Sequence, residues 1–561
     1  MEEGIQSELV TELSSIVGES HVSTSAMVKR VYATDMWPKL LIQSKFGQPP
    51  AHLPQAVVWP KTEREVKAIV RYANEAKIAI VPYGGGSGVC GGVVPLRGGI
   101  TLDLKRLDNI KSISRENMSV DVEAGKIGER FERDLASKGY TFGHFPSSIY
   151  SSTVGGWLAC RAAGQMSSKY GKIEDRVLGL TMVSGKGDII ETDGMQRAKR
   201  GPNWNHAILG SEGCYGIITS ARLRLSSAPE VCILRGFEFE SVQKGLEAIR
   251  LVMQSGLRPA VIRLYDGFDT FMHKVSIFSG ANQSTLDPDQ FAPVPKQRGE
   301  AWPNLPSETI KKMNLGARLM EAISSPQDIF DAAKQFGIST ALSSPSLVNK
   351  AVDKLAKFAI DEGCRMIIGL EGSRARTEVE AKLTFSKLKL AGGEDKGEEP
   401  GQEWLEKRYA VSYKLSSVFK EGLFVDTMEI ATTWDKLNHL YKAVQSAIGE
   451  HAVVMAHFSH AYHEGCSIYF TFAAQANSLE EATTIYEAIW RDGLGAAVRA
   501  GGTISHHHGI GMLKASFMRS EHSQGMTAIN ALKRTFDPIG IMNPGKMGIF
   551  DNLGKNHDIQ N

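Results

Sequence analysis

Apolar residues first recur at helical spacing over 62–77, TEREVKAIVRYANEAK. Four of them fall on one face of the predicted helix: Val66, Ile69, Val70 and Ala73. Thr62 precedes the first turn and has a side chain suited to an N-cap. The short apolar run AVVWP (56–60) comes before this helix, and IAIVPY (78–83) follows it as a predicted buried strand. Strand and helix therefore alternate in this part of the chain.

The same alternation continues through the first 228 residues. ITLDLK (100–105) and MSVDVEAG (118–125) are predicted strands, and KIGERFERDLASKG (126–139) is a predicted amphipathic helix. GIITSARLRL (216–225) alternates apolar and polar residues, which predicts a strand with one face buried. We therefore expect one domain over 51–228.

The pattern after residue 228 suits a second domain of the α+β class. Helices are predicted over 242–255 and 479–500. Pro, Ser, Asn and Gln are frequent over 280–345, which indicates an insertion, and GGEDKGEEPGQE (392–403) is predicted to be a charged surface loop. The predicted fold class is α+β, and four parts are expected: a helical segment 1–50, a first domain 51–228, a second domain 229–504 and a C-terminal segment 505–561.

The amino-acid composition says more about possible binding partners than about the fold. The chain has 561 residues, of which 42% are hydrophobic and 22% charged, and its formal net charge is +2. This is the composition of a soluble globular protein with more than one domain. Because Lys and Arg form no long basic block, we expect no nucleic-acid partner.

The cysteines and the two termini favour a reducing compartment. The cysteines lie at positions 90, 160, 214, 232, 364 and 466, and no two are close enough for a Cys-x-x-Cys motif. This spacing argues against a cysteine zinc site and against a disulfide scaffold. The N-terminus begins acidic without an apolar core, no run of about 18 apolar residues occurs, and the final HDIQN matches no retention or peroxisomal signal. A cytoplasmic protein is expected.

A glycine loop, VPYGGGSGVCGG (81–92), directly follows the strand predicted over 78–83. Glycine admits positive φ and lets backbone N–H groups approach a diphosphate. By itself such a loop is more often a structural turn. It lacks the Lys-Ser/Thr ending of an ATP-binding loop and the helix that follows a dinucleotide-binding Gly-x-Gly-x-x-Gly, so neither of those sites is predicted.

Three further segments, taken together with this loop, indicate a binding site for a phosphate-containing cofactor. PSSIYSSTVGGWLACRAAG (146–164) places hydroxyls and a glycine pair before a small-residue helix, whose N–H groups suit phosphate oxygens. LGSEGCYGIITSARL (209–223) has another glycine turn before a strand, and FDPIGIMNPGK (536–546) lies near the C-terminus. In order and spacing the four segments resemble the FAD domain of the vanillyl-alcohol oxidase and p-cresol methylhydroxylase superfamily. That resemblance implies a two-subdomain FAD-binding fold with an α+β cap domain.

The resemblance also implies FAD contacts in four stretches of the chain. They are Val81, Pro82, Tyr83, Gly84, Gly85, Gly86 and Ser87; Pro146, Ser147, Ser148, Ile149, Tyr150, Ser151 and Ser152; Ala159, Cys160, Arg161 and Ala162; and Ser211, Glu212, Gly213, Cys214, Tyr215, Gly216 and Ile217. Some relatives attach the flavin to a histidine in or beside the first loop, but Gly84–Ser87 contains neither His nor Cys. Noncovalent FAD is therefore expected, with nearby Cys90 as a small buried residue.

Three adjacent histidines, His506, His507 and His508, lie in SHHHG (505–509). Their internal position excludes a purification tag. One shared zinc ion stays an alternative, but consecutive side chains diverge, so we expect no metal. The run resembles the His-His-His-Gly segment of alkyldihydroxyacetonephosphate synthases, whereas D-lactate and D-2-hydroxyglutarate dehydrogenases usually have Gly-Glu-His-Gly there. The resemblance gives the three histidines a catalytic role.

YHEGCSIYF (462–470) resembles the synthase pattern Tyr-Asp-x-Gly-x-Cys-Ile-Tyr-Phe. The second tyrosine of that pattern is the catalytic acid/base, so the resemblance assigns this role to Tyr469. Without the motif, Tyr469 would be interpreted as a core strand tyrosine. The dehydrogenase pattern His-x-Gly-Asp-Gly-Asn-x-His is absent. His457, His460 and His463 have the chemistry of metal ligands but are expected to be partly exposed polar residues.

VIRLYD (261–266) resembles the Ile-Arg-Leu segment of the synthases, and this assigns substrate binding to Arg263. A guanidinium suits phosphate or carboxylate because it donates paired hydrogen bonds. In the synthases a second arginine precedes a Ser-x-Glu-x-x-x-x-Trp-Asp motif. Here Thr427 stands at the Ser of that motif, and Leu415 stands where the arginine should be. Adjacent Lys414 could supply charge, so Lys414 and Thr427 are the other candidate substrate residues.

The resemblance implies an exchange without net oxidation, in which a fatty alcohol replaces the acyl chain of acyl-dihydroxyacetone phosphate. A lipid-like small-molecule substrate, peripheral contact with a membrane and a homodimer are the corresponding expectations. One alternative is an FAD-dependent dehydrogenase or oxidase of a 2-hydroxy acid. Another is a flavin protein without turnover, used for binding or assembly, and Leu415 keeps this alternative open. Leu415 also leaves open a substrate other than acyl-dihydroxyacetone phosphate.

Overall fold

The computed structural model describes residues 2–192, 201–274, 363–409 and 423–549. The insertion predicted over 280–345 lies outside the described residues, as do Lys414 and Leu415. Within the described part of the chain, no helix is both long enough and apolar enough to cross a bilayer.

The strands of the described residues are β1 (Val22–Ser23), β2 (Ala56–Val58), β3 (Ile80–Tyr83), β4 (Ile100–Asp103), β5 (Ile110–Ser114), β6 (Ser119–Glu123), β7 (Tyr140–Thr141), β8 (Val177–Ser184), β9 (Ile189–Glu191), β10 (Gly216–Arg224), β11 (Ser226–Ser227), β12 (Val231–Phe239), β13 (Val261–Tyr265), β14 (Cys364–Gly372), β15 (Glu394–Asp395), β16 (Leu423–Thr433), β17 (Val453–Ala461) and β18 (Gly465–Gln475). The helices are α1 (Glu2–Val17), α2 (Ala26–Val31), α3 (Pro38–Lys45), α4 (Glu63–Ala76), α5 (Gly128–Ala136), α6 (Val154–Cys160), α7 (Ser167–Tyr170), α8 (Ile173–Arg176), α9 (Trp204–Ile208), α10 (Val242–Gln254), α11 (Gly267–Lys274), α12 (Arg374–Leu390), α13 (Glu399–Lys407), α14 (Trp434–Gly449), α15 (Leu479–Arg499), α16 (Met518–His522) and α17 (Gly525–Phe536). Short 3-10 turns lie at Glu19–His21 and Ala515–Phe517.

The first sheet has the order β1–β2–β4–β3, and its last three strands are parallel. α4 packs its predicted apolar face on this sheet, and Thr62 caps the helix by accepting the N–H of Glu65 at 3.2 Å. α1 adds Leu9 and Leu13 to the same core. Because β3 ends at Tyr83, the glycine loop begins at the carboxyl edge of parallel strands, where α/β sheets bind ligands.

The second sheet, β5–β6–β10–β8–β9, corrects one prediction. β10 was expected to have one buried face, but it is the central strand, and its first six residues from Gly216 are all buried. Ile217 joins the core of the first sheet, while Ile218 packs in the larger core on the other side. The polar Thr219 is accommodated because its hydroxyl donates to Glu63 at 2.7 Å.

The third sheet, β15–β12–β14–β13–β17–β18–β16, is formed by strands that lie between residues 231 and 475. One of its faces is apolar, and Met428, Phe458 and Phe470 pack there against α14 and α15. Successive residues of a strand point to opposite faces. The neighbouring positions Glu429 and Tyr469 therefore lie on the other face of the sheet.

The segment 392–403 is not the loop that its charge and glycine content predicted. Glu394–Asp395 pairs with β12 as an edge strand, and α13 begins at Glu399. Gly401 is buried against β12, where an added Cβ would lie 2.7 Å from the Cβ of Leu234. The expectation failed because a glycine that allows close packing looks the same in the sequence as a glycine in a turn.

Candidate active site

The predicted flavin stretches meet in the structure. A Cβ on Gly85 would overlap a backbone carbonyl of the second stretch, so these two segments touch through their backbones. An added Cβ on Gly213 would lie 2.9 Å from the ring of Pro82, which joins the fourth stretch to the first. Glu212 donates its N–H to the carbonyl oxygen of Ala159 at 3.0 Å and so joins the fourth stretch to the third.

The glycine loop presents unpaired backbone donors. Within the part of the chain that the structure describes, the N–H groups of Gly85, Gly86 and Ser87 donate no hydrogen bond to another backbone carbonyl. Gly86 has a φ of 62°, a conformation found in anion-binding backbone turns. Lys105 Nζ donates to the carbonyl oxygen of Gly84 at 2.9 Å and places a positive charge beside the loop. These groups fit the diphosphate of FAD.

Glu212 connects the flavin stretches to the segment Ser505–Gly509, which we call the histidine loop. Its carboxylate accepts the N–H groups of Ile510 at 2.5 Å and Gly511 at 2.8 Å, directly after that loop. Asn543, in the C-terminal segment, donates to the backbone carbonyl of Glu212 at 2.7 Å. The fourth flavin stretch therefore holds both the histidine loop and the C-terminal segment.

Tyr469 lies at the centre of the polar face of the third sheet. In β18 it pairs with Glu429 of β16 on one side and with His457 of β17 on the other. The rings of Tyr469 and His457 stack with their centroids 4.9 Å apart and their planes 13° apart. The register of three strands thus sets the position of the phenol.

Glu429 is fully buried and holds the histidine loop in place. Its carboxylate accepts the hydroxyl of Ser505 at 2.5 Å and the backbone N–H groups of the three histidines at 2.5, 3.3 and 2.7 Å. Lys514 Nζ, also fully buried, lies 3.2 Å away. Burial alone would raise the pKa of Glu429, but the Lys514 ammonium and the loop donors hold that pKa well below its usual range.

A hydrogen-bonded chain runs from Tyr469 into the histidine loop. The Tyr469 hydroxyl contacts His507 Nε2, and His507 Nδ1 lies 2.9 Å from His506 Nδ1. Burial raises the pKa of Tyr469 and lowers the pKa of His507 well below its usual value. Burial, together with the charge of Lys172, lowers the pKa of His506 to about 3. The chain is therefore neutral near pH 7 and can pass a proton between the phenol and the imidazoles.

Arg263 lies on the same face of the sheet, in β13. Its Nη2 donates to His457 Nε2 at 2.6 Å. Because an arginine can only donate, the proton of a neutral His457 is on Nδ1, which lies 3.3 Å from a carboxylate oxygen of Asp269. This chain orients the guanidinium beside Tyr469.

Three buried nitrogens of this face have no hydrogen-bond partner among the described residues: Arg263 Nε, His506 Nε2 and His508 Nδ1. Burial lowers the pKa of His508 to about 4, so its imidazole is also neutral near pH 7. Buried polar atoms are almost always satisfied in a working protein, by water or by a ligand. The arrangement therefore suits a polar substrate group.

Glu429, His506 and His507 offer ligand atoms that all lie within 4.8 Å of one another, the only such group that the described ranges contain. Both oxygens of Glu429 already accept hydrogen bonds from the loop, and Lys514 places its ammonium against one of them. A divalent cation would have to displace these donors and approach that ammonium. The geometry suits an anchor for the loop better than a metal site.

The structure corrects the expectation for one histidine and adds a residue. His460 was expected to be partly exposed, but it is buried with 6% of its surface exposed, because a β-bulge turns it away from solvent. His463 is exposed as expected. Thr427 is half-buried and lies two residues before Glu429 in β16. Sequence reasoning missed Lys514, whose only signal was a charge within the apolar stretch GIGMLK.

The chain is similar in sequence to FAD proteins of known type. Residues 54–193 match the FAD binding domain family, and residues 335–547 match the C-terminal domain of FAD linked oxidases. An alkyldihydroxyacetonephosphate synthase of Dictyostelium discoideum is 28% identical over 520 residues, which cover 90% of this chain and 75% of the relative. The glycolate oxidase subunit GlcD of Bacillus subtilis (strain 168) is 25% identical over 550 residues, which cover 97% of each chain.

Solved structures share the fold. An alkyldihydroxyacetonephosphate synthase structure has a TM-score of 0.69 at 24% identity and covers 96% of this chain and 84% of its own. A p-cresol methylhydroxylase structure has a TM-score of 0.70 at 17% identity, with coverage of 99% and 98%. The chain has the fold of these proteins, and its sequence matches both an FAD binding domain and the C-terminal domain of FAD linked oxidases. The predicted α+β fold with FAD-binding and cap domains is confirmed, and FAD is the cofactor.

The protein is expected to hold FAD without a covalent bond. The protein should purify yellow, and acid precipitation should release free FAD into the supernatant. The reason is that the glycine loop has no His or Cys at Gly84–Ser87, while Cys90 is buried with its Sγ 3.5 Å from the carbonyl oxygen of Gly509. Flavin absorbance that remains in the washed pellet would show a covalent bond instead.

Proposed function

We propose that the chain exchanges the acyl group of acyl-dihydroxyacetone phosphate, or a closely related acylated phosphate ester, for a fatty alcohol. This is an alkyl transfer of ether lipid synthesis. The observation that carries the proposal is the neutral chain Tyr469–His507–His506, which lies beside Arg263 on one sheet face. The sequence similarity to the synthase of Dictyostelium discoideum, which extends over 90% of this chain, supports the choice of reaction.

Tyr469 moves a proton at the reacting carbon in this proposal. Bound FAD supplies a ring system that can take up and return an electron pair at that carbon. The Tyr469 proton passes to His507 Nε2, and the proton on His507 Nδ1 passes to His506 Nδ1. These transfers occur as the phenol oxygen accepts the substrate proton, so no separate phenolate forms. The fatty acid leaves as a carboxylate that takes up the proton of the entering alcohol, and the reverse path returns the substrate proton to the carbon. The Glu429 carboxylate, 3.8 Å from His507 Nδ1, stabilises the positive charge that forms on the imidazoles.

The headgroup is bound by charge and by the unpaired nitrogens. Arg263 supplies the guanidinium, which suits a phosphate because it can donate more than one hydrogen bond. His508 Nδ1 and His506 Nε2 supply further polar contacts in this proposal. Leu415 stands where the synthases have a second arginine, so the part of the substrate that this arginine binds is expected to differ.

The pH dependence of turnover follows from the neutral imidazoles. Their depressed pKa values, about 3 for His506 and about 4 for His508, keep both rings neutral down to acidic pH. We expect kcat/KM to stay level from pH 7.5 to about pH 5.5, without the half-loss near pH 6.5 of an ordinary histidine. Thermal stability, unlike kcat/KM, is expected to change within this pH range. The unfolded chain binds protons below about pH 6.5 that the folded chain does not, so Tm should fall there. A half-loss of kcat/KM near pH 6.5, at unchanged Tm, would contradict the neutral chain.

The second candidate function is oxidation of a 2-hydroxy acid, which the similarity to the glycolate oxidase subunit favours. In that case Tyr469 or a histidine would take the hydroxyl proton while the cofactor is reduced. Anaerobic mixing with glycolate or D-lactate separates the two functions. The oxidase would lose its flavin absorbance within a time on the order of seconds. The transferase would keep its absorbance, because its reaction has no net oxidation.

A further inference from the structure

We propose that His460 is a substrate-contacting residue, which donates a hydrogen bond from Nε2 to an oxygen of the headgroup. Ser167 and Tyr462 position it. The inference rests on the proposed function only for the identity of the headgroup. The geometry itself places a fourth imidazole beside the histidine loop, on a strand that does not contain that loop.

The backbone turns His460 toward the site. The pairing of β17 with β18 shifts register between Ser459 and Ala461, which is a β-bulge that leaves His460 as the extra residue. His460 has a φ of 54°, in the left-handed region that non-glycine residues seldom adopt. Such bulges recur next to active sites because they re-aim one side chain. The left-handed conformation costs free energy, so its use here indicates a demand on the direction of the ring.

The ring of His460 lies among the site residues. Its centroid is 4.8 Å from that of His507, 5.4 Å from that of His506 and 6.1 Å from that of Tyr469. These distances place His460 at the surface of the same polar cluster, although it makes no hydrogen bond to any of the three in the described chain. A substrate oxygen held by the histidine loop would therefore be within reach of this imidazole.

Two hydroxyls lie on the Nδ1 side of His460, and the proposal takes Ser167 as the donor to Nδ1. Ser167 Oγ lies 2.7 Å from His460 Nδ1 and 3.1 Å from the hydroxyl of Tyr462. Burial raises the pKa of Tyr462, which keeps its hydroxyl a donor. When Tyr462 donates to Ser167 and Ser167 donates to Nδ1, the single proton of a neutral His460 is on Nε2.

His460 stays neutral because of its surroundings. Burial lowers its pKa well below the usual value, and the charges of His506 when protonated, Arg263 and Lys172 act in the same direction, while Glu429 opposes them. Nε2 has no hydrogen-bond partner in the part of the chain that the structure describes. A neutral donor without a partner, beside Arg263, suits a carbonyl, hydroxyl or phosphate oxygen of the substrate.

The test compares His460→Leu, which removes the donor, with His460→Gln, which restores an N–H donor on a side chain of similar reach. Binding of dihydroxyacetone phosphate to the FAD-loaded protein is measured by the change in flavin absorbance, so this arm does not depend on turnover. We expect His460→Leu to weaken binding about ten- to a hundredfold and His460→Gln to recover most of the loss. Ser167→Ala should weaken binding by a smaller factor, because the other tautomer becomes accessible.

His463→Leu is the matched control, since His463 is an exposed histidine of the same segment. It should bind dihydroxyacetone phosphate as the unaltered protein does. With the acylated substrate, His460→Leu should raise KM more than it lowers kcat, at unchanged FAD content and Tm. Unchanged binding in His460→Leu, or an equal loss in His460→Gln, would overturn the inference. If the unaltered protein binds the probe but exchanges no acyl chain, the proposed function fails while the role of His460 stands or falls on the binding data.

Discussion

Replacement of Tyr469 by Phe is expected to lower turnover by roughly 100- to 10,000-fold while FAD stays bound. The substitution removes only the hydroxyl, which is the group that contacts His507 Nε2 and exchanges the substrate proton in the proposed reaction. The stacked ring stays in place against His457, so KM for the headgroup should change little. Single-turnover rates with a fixed FAD content measure the effect directly.

Tyr72→Phe is a suitable control for the loss of a tyrosine hydroxyl. Tyr72 lies on α4 against the core of the first sheet, away from the polar face of the third sheet. Its variant should turn over at the rate of the unaltered protein. A Tyr469→Phe variant with the same rate as this control would remove Tyr469 from the reaction and leave the imidazoles as the proton-transfer groups.

Glu429→Gln is expected to destabilise the protein by roughly 3–5 kcal/mol and to abolish most activity. Glu429 and Lys514 are both fully buried, with 3.2 Å between their charged atoms, so the neutral amide leaves the ammonium without a counter-charge. The side-chain amide of the new glutamine has only one acceptor oxygen. Its NH2 group would face backbone N–H groups of the histidine loop that now donate to Glu429. Urea unfolding followed by circular dichroism measures the first effect, and turnover measures the second.

A second substitution separates charge from hydrogen bonding at this position. Glu429→Gln combined with Lys514→Met removes the unpaired ammonium and should recover most of the stability. It should not recover activity, because the loop still lacks its carboxylate. Glu403→Gln is the surface control, since its ion pair with Lys407 is partly exposed and should be worth less than about 1 kcal/mol. A loss in Glu429→Gln no larger than in this control would show that the buried pair does not hold the loop.

Local sequence patterns predicted the elements whose causes are local. The helix over 62–77 was predicted from its apolar face and from Thr62, and the structure has α4 there with Thr62 as its cap. The position of Tyr469 came from a motif, and the structure places it beside the histidine loop that a separate motif had marked. These signals were sufficient because a single stretch of chain contains each of them.

Other features depend on residues that are distant in the sequence. Glu429 and Lys514 are 85 positions apart and form a pair only after β16 and the histidine loop have been brought together. His460 looked like an ordinary strand residue, because a register shift in the pairing of two strands cannot be recognised from the sequence of one strand alone. The edge strand and the helix that begins within 392–403 were mistaken for a loop. Glycine and charged residues are typical of loops, but here Gly401 packs against the sheet while the charged side chains face solvent.

The measurement that tests the central claim most directly is an exchange assay with a substrate labelled in its acyl chain. Acyl-dihydroxyacetone phosphate with a labelled acyl chain is incubated with a fatty alcohol and the FAD-loaded protein, without an electron acceptor. We predict that one labelled fatty acid is released for each ether formed, at unchanged flavin absorbance, and that Tyr469→Phe stops both. Release of no fatty acid, together with loss of flavin absorbance on addition of glycolate or D-lactate, would contradict the account and identify a hydroxy-acid oxidoreductase.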